Sequence, residues 1–216
     1  MHILLTANSA WNIWNFRRGL LQALVSDDHH VTILAPTDDS VNNIKDIGCR
    51  FIPLDMNAKG LNPISFLKLF QSFKQHFRRE RPDVVLSFTI KNNIFGALVA
   101  RSMQIAFVPN VTGLGTAFLS TRLLQIISEF LYRKAFVSLP IVFFQNADDR
   151  DLFLTRGLVR TEQAQLLPGS GIDLGHFEVT EYPVGTGATV FLLIGRLLRD
   201  KGVCEYVEAA RLVKSN

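Results

Sequence analysis

At 216 residues, 48% hydrophobic and with 17 Phe, the chain has ample apolar side-chain mass for a real core, which excludes an intrinsically disordered protein. Its net charge of +4 and pI near 9.3 form a mild basic bias that suits sugar phosphates, membrane surfaces or nucleic acid without choosing among them. Cys49 and Cys204 stand far apart with no CxxC or Cys/His spacing, which excludes a disulfide framework or zinc site, and no apolar run reaches the roughly 18–20 residues needed to span a bilayer.

The first residues, MHILLT, carry neither a basic leader nor a small-residue cleavage site, so they read as a strand and the chain is expected in the cytoplasm. From there short apolar runs alternate with helical periodicity. Strands are predicted at 2–7, 31–35, 51–54, 83–87, 105–108, 141–144 and 164–167. Helices are predicted at 14–24, 41–47, 62–80, 92–103, 119–135 and 148–155. Asn62–Pro63 reads as a cap with proline at the first helical position, and Pro82 marks the end of that helix. Repeated β-then-α with apolar strands predicts an α/β fold: a Rossmann-like parallel sheet with helices on both faces. Ligands of such sheets bind at the C-terminal ends of the strands. That places the candidate site at Thr6–Asn15, 87–92, 110–115 and 146–149.

Residues 168–187, rich in Pro and Gly and without periodicity, read as a linker. A further strand is expected over 188–194, stopping at Gly195, with Arg196 and Lys201 flanking the turn into a helix over 203–213. Cations beside a glycine turn at a helix start suit a phosphate. One strand and one helix are too little for a core of their own.

Other features read more simply. Gly113–Leu114–Gly115 lacks the third glycine of a dinucleotide fingerprint and is a turn through which backbone can approach a ligand. Asp149–Arg150–Asp151 spells a metal-binding pattern, yet at a helix start such carboxylates cap backbone donors and complement the dipole. The helix at 64–81 sets Phe66, Phe70, Phe73 and Phe77 at helical spacing, with Lys and Arg between them. Its basic side is either a solvated face or a contact for anionic lipid. No histidine falls at a predicted strand end, so a Ser/His/Asp triad has little support.

Taken together, the runs LPGSGID (167–173) with Phe177, and IGRLLRDKG (194–202), resemble glycosyltransferase family 4, whose members have the GT-B fold of two facing Rossmann-like domains. NVTGLG (110–115), FQNADD (144–149) and Asn15–Phe16–Arg17 are similar to the branch acting on undecaprenyl-diphosphate-linked sugars in bacterial surface glycan assembly. The resemblance implies retaining transfer from a nucleotide sugar, usually a UDP-sugar, without a required metal or cofactor. It places the family's catalytic Arg and Lys on Arg196 and Lys201, which neutralise the diphosphate leaving group, with Gly195 beside them on the donor side; Gly113 is assigned to the donor by topology, at a strand end. Cations held where charge develops stabilise the transition state more than the ground state.

On that resemblance the chain divides into an acceptor-side domain (1–168), a linker (169–187) and the start of a nucleotide-sugar-binding domain (188–216). Topology assigns Asn15, Arg17, Lys91, Asn92 and Thr112 to the acceptor. The expected partners are a nucleotide sugar, a lipid-linked sugar and an anionic membrane surface met by 64–81, with no nucleic acid. The expected location is the inner face of the cytoplasmic membrane. Two departures stand out. The 112–115 loop lacks the histidine many members carry, and Glu205 and Glu208 are too close to be the family's glutamate pair. Negligible turnover is therefore expected of the isolated chain. A non-catalytic binding fragment and a GT-B sugar-nucleotide epimerase are the alternatives, the latter lacking carboxylates and a histidine at the strand ends.

Overall fold

Seven short strands pair in parallel into one sheet: β1 His2–Thr6, β2 His30–Ala35, β3 Arg50–Pro53, β4 Val84–Phe88, β5 Ala106–Val111, β6 Val142–Phe144 and β7 Ala164–Leu166. Their order is β3-β2-β1-β4-β5-β6-β7. The computed structural model describes residues 1–56, 62–113, 122–175, 177–181, 187, 189–195 and 197–215. Ile3 of β1 lies opposite Val31 of β2 on one side and Val84 of β4 on the other, so the winding direction reverses between β1 and β4. That reversal opens the crevice in which open α/β sheets hold their ligands.

The strands alternate between two cores. Leu5, Ile33 and Phe88 pack with Ile13 and Leu21 of α1 (Ala10–Ser26) and Ile44 of α2 (Val41–Asp46). Leu4, Leu34, Val85 and Phe107 pack on the other face, against α3 (Pro63–Glu80), α4 (Ile90–Ser102), α5 (Arg122–Phe136) and α6 (Ala147–Thr155). Windings in opposite directions with right-handed crossovers put the two helix sets on opposite faces. Phe153 fills the second core at the β6 end, its ring edge-on to Tyr132 and Phe144 at centroid distances of 4.9 and 5.2 Å. Gly96 lets α4 lie close to the sheet: a Cβ there would stand 2.8 Å from the Phe107 ring.

Differences from the sequence reading have local causes. Helix α1 starts at Ala10, before the predicted residue 14, because the Ser9 side chain accepts from the Asn12 N–H and caps the first turn. Strand β5 runs on to Val111, so Asn110 belongs to the sheet and not to the loop after it. The expected Asn62 cap is present, its Oδ1 accepting from Ile64 N–H at 2.9 Å.

The chain divides into two compact units, Met1–His176 and Phe177–Asn216. The second contains a single turn of 3-10 helix, Arg199–Lys201, and α7 (Val203–Ser215). The strand expected over 188–194 does not form among the described residues: Val190, Phe191, Leu192 and Ile194 are all exposed. A strand needs a ladder partner, and the described residues of this unit include no second strand to supply one. The Phe191 carbonyl instead accepts from the Tyr206 hydroxyl at 2.8 Å.

Candidate functional site

The carboxyl ends of β1, β4 and β5 carry a buried polar layer of Thr6, Ser87, Asn92, Asn93 and Asn110. Part of it serves the fold. Asn92 Nδ2 donates to Thr6 Oγ1 at 2.7 Å and to the Ala7 carbonyl at 3.1 Å, and its Oδ1 accepts from Thr89 Oγ1. These bonds tie the start of α4 to the end of β1 across the crevice. Asn92 is fully buried, with both amide hydrogens in use, so it positions the crevice walls instead of facing an acceptor. Thr89 begins α4 at φ 73°, a strained value for a β-branched residue, in the turn that also carries Lys91. Lys91 is half-buried with its Nζ 5.4 Å from the Phe66 ring centroid, and burial lowers its pKa from the ordinary range.

The rest of the layer is unsatisfied. Ser87 Oγ, Asn93 Oδ1 and Asn110 Oδ1 have no hydrogen-bond partner among the described residues. Asn110 faces a cavity of about 310 Å³ on the α1 side of the sheet. The same faces of β4, β5 and β6 form its floor through Leu86, Val108 and Phe143, and Gln145, Gly169 and Ser170 form its far rim.

Arg17 enters this cavity from α1 and is 7% exposed. Its guanidinium lies 4.3 Å over the Phe88 ring and donates to the Phe16 carbonyl at 2.7 Å and to Ser170 Oγ. Gln145 Nε2 donates to the same hydroxyl at 3.1 Å. Arg17 Nε has no partner, and no carboxylate pairs with this cation among the described residues. Burial alone pushes its pKa down from the ordinary arginine range to about 10. The neighbouring Arg18, by contrast, pairs with Asp173 at 3.5 Å and covers the Trp14 ring. A buried cation without a carboxylate partner, lining one cavity with a buried amide side chain, is a site suited to an anion bearing hydroxyl groups.

The candidates named from the sequence are thus dispersed. Arg17 lines the cavity, and Lys91 lies in the strained turn at the crevice. Thr112 and Gly113, at φ 138°, lie half-buried just past β5. Asn15 is exposed, does not line the cavity, and donates its Nδ2 back to the Trp11 carbonyl at 3.0 Å, because its place on α1 faces outward. Gly195 and Lys201 belong to the second unit, where Lys201 closes the 3-10 turn before Gly202 at φ 75°. Arg196 lies outside the described residues. Asp149 lies in the first turn of α6, where its N–H donates to Oδ1 of the Asn146 cap and its Oδ2 accepts from the Asn146 amide. Asn110, Gln145 and Ser170 lie within the stretches 110–115, 144–149 and 167–173 named from the sequence, but no individual role attaches to them there, since uncharged residues give no sign of burial in a sequence.

Comparison with known proteins gives the family. The family model described as glycosyl transferase 4-like matches residues 2–146. A Campylobacter jejuni protein, N,N'-diacetylbacillosaminyl-diphospho-undecaprenol alpha-1,3-N-acetylgalactosaminyltransferase, is 24% identical over 99% of this chain and 61% of its own length. A glycosyltransferase from Rickettsia africae superposes with a TM-score of 0.59 at 14% identity, over 82% of this chain and 45% of that one. Anabaena HepE in complex with UDP and glucose superposes at 0.59 and 13% identity, over 83% of this chain and 47% of that one. The chain therefore spans about three fifths of this curated relative and under half of these solved structures. At such identities the structures establish the fold, and the family model, spanning more than half of the sequence, establishes membership. With the seven-stranded sheet, its β1/β4 crevice and the cationic cavity beside it, the chain belongs to the glycosyl transferase 4-like family.

Proposed function

We propose that the unit Met1–His176 is the acceptor side of a glycosyltransferase that moves a sugar from a nucleotide sugar, with UDP as the nucleotide, onto a lipid-linked saccharide. The observation that carries the reading is Arg17, a buried cation lacking a carboxylate, which shares a cavity with the unsatisfied Asn110. A diphosphate-linked sugar has the matching chemistry: phosphate oxygens for the Arg17 guanidinium and hydroxyl groups for the Asn110 amide. The Campylobacter relative's name, a transferase acting on a diphospho-undecaprenol-linked sugar, supports the same acceptor class.

In the transfer, the bond from the donor's anomeric carbon to the diphosphate breaks as a new one forms to an acceptor hydroxyl oxygen, whose proton passes to the departing diphosphate. Retention of anomeric configuration follows the family resemblance. Negative charge collects on the departing diphosphate, and Arg196 and Lys201 are the proposed cations that neutralise it, a bidentate fork beside a point charge. Gly195 and Gly113 supply close backbone approach on the donor side. Lys91 and Thr112 join Arg17 on the acceptor side. Helix α3 is the proposed contact with anionic lipid, its solvent face bearing Lys68, Lys74, Arg78 and Arg79. Among the described residues no helix is long and apolar enough to cross a membrane.

The test follows the fluorescence of Trp11 and Trp14, the only two tryptophans, both on α1. The chain is titrated with a short-chain prenyl-diphosphate-linked N-acetylhexosamine and, as control, with the prenyl alcohol. Radiolabelled UDP-sugars are then offered for transfer. A saturable change with the diphosphate-linked saccharide alone supports the reading. An equal response to the alcohol, or none to either, overturns it.

A further inference from the structure

Two helices on the same face of the sheet share a polarity that neither shows alone. α3 and α5 pack on either side of α4, whose central residues they help to bury. Each follows a strand of a parallel sheet, so each begins at the C-terminal edge, where the candidate site lies, and runs away from it. Their exposed apolar side chains gather in the halves nearest that edge: Ile64 and Leu67 on α3, and Leu123, Ile126, Ile127 and Phe130 on α5, all 44–67% exposed. The α5 set falls at helical spacing and makes one continuous stripe. Further along, the exposed face turns basic in both helices, at Lys74 and Arg78 on α3 and at Arg133 and Lys134 on α5.

We infer that the sheet's C-terminal edge faces an anionic lipid bilayer, with the leading half of α5 as the principal apolar anchor and that of α3 as the second. Scattered exposed hydrophobics are ordinary on a protein surface, whereas a stripe of four large ones along two turns marks an interaction site. Charge selects the partner. The three helices α3, α4 and α5 carry nine Lys and Arg against two Glu, in a chain whose net charge is only +4, so the remainder is net negative. At 1.5 Å per residue, Lys134 stands about 6 Å behind Phe130 and Lys74 about 10 Å behind Leu67. Those offsets match an apolar tip lying roughly 5–10 Å into the headgroup–acyl boundary with cations at headgroup depth. Lys134 Nζ lies 5.7 Å from the Phe130 ring centroid, so the ring can enter the lipid while the ammonium reaches back to phosphate. Lys68 and Arg122, beside the tips, have the reach to do the same. The inference rests on the lipid-linked acceptor reading for its biological sense, since this orientation points the crevice at the leaflet that holds such an acceptor.

The experiment is co-sedimentation of the chain with vesicles of phosphatidylethanolamine and phosphatidylglycerol, and separately of phosphatidylcholine, none containing a prenyl lipid. The expected result is binding to the anionic vesicles. Ile126→Glu with Phe130→Glu should lower it roughly tenfold or more, both positions being exposed and tolerant of charge in the folded chain. Lys74→Glu with Arg78→Glu should lower it at low salt and leave the response to phosphatidylcholine unchanged. Undiminished binding by the Ile126/Phe130 variant overturns the inference, as does absence of wild-type binding. So does a wild-type dimer in light scattering that this variant dissociates, which would make a second copy the occupant of the stripe. Because the vesicles hold no acceptor, binding to them supports this surface even where the acceptor titration with short-chain substrate fails.

Discussion

Replacing Arg17 with Met separates a ligand-binding cation from a structural one. Arg17 is more than nine-tenths buried, and burial lowers its pKa from the ordinary arginine range to about 10. The folded value lies below the unfolded one, so folding disfavours the charged form. The penalty is present at every pH below about 10 and is relieved only as pH rises from there towards the unfolded value. In the neutral range it is constant at about 3 kcal/mol, taking roughly 1.4 kcal/mol per pH unit. Against it stand the two hydrogen bonds to Phe16 and Ser170, worth about 1–2 kcal/mol net, and the contact with the Phe88 ring, worth about 1 kcal/mol. These terms nearly cancel. Met matches the stem in length and shape without a charge. Arg17→Met is therefore expected to change unfolding free energy by less than about 1 kcal/mol, a midpoint shift under about 4 °C, equally at pH 6 and 8. The same variant should lose affinity for the diphosphate-linked saccharide by tenfold or more, because a phosphate brings a full opposite charge to the guanidinium where Phe16 and Ser170 offer only neutral oxygens. Urea unfolding and the acceptor titration give both numbers. A loss of stability above about 3 kcal/mol would make Arg17 the pin that holds residues 167–170 in place and would refute its assignment to a ligand.

Asn92→Ala should show the opposite profile: it removes two buried hydrogen bonds across the crevice and a third to Thr89, and is expected to cost about 2–4 kcal/mol in urea unfolding, whereas a neutral result would return Asn92 to the candidate acceptor contacts. Gly96→Ala places a Cβ 2.8 and 2.9 Å from two atoms of the buried Phe107 ring, and overpacking should outweigh the roughly 1 kcal/mol that alanine adds to a helix, for a net loss of about 1–3 kcal/mol. A rise in the thermal midpoint would show that the α4–β5 contact can relax.

The alternation of apolar runs and helical periods was sufficient to read the parallel sheet, because both signals lie within ten or so residues of each other. Asn62, Pro63 and the spacing of Phe73 and Phe77 are cases in point: cap, first turn and buried stripe are all local, and all three are present. The run over 188–194 looked equally strand-like, yet its backbone has no ladder partner among the described residues, and pairing is a property no single stretch can carry. The site follows the same division. Arg17 was legible as a cation near a strand end, but Asn15, two positions earlier, points outward, because a helix turns by about 200° over two residues. Asn110 and Ser170 are polar residues of no special spacing. Only the parallel pairing of β4, β5 and β6 brings Asn110 to the cavity that Arg17 enters.

That cavity and the apolar tips of α3 and α5 stand on opposite faces of the sheet but at the same edge, and the topology requires this. In a parallel sheet every strand delivers the chain to one edge, so every following helix starts there. Whatever is set in the loops and first turns, whether Arg17 and Thr89 or Ile64 and Leu123, is therefore presented in one direction. An acceptor whose sugar sits at the crevice while its lipid stays in a leaflet needs its two ends recognised on one side of the protein. A fold that places helix starts and strand ends together meets that need with residues far apart in sequence, and a basic, apolar-tipped helix pair on the other edge would not.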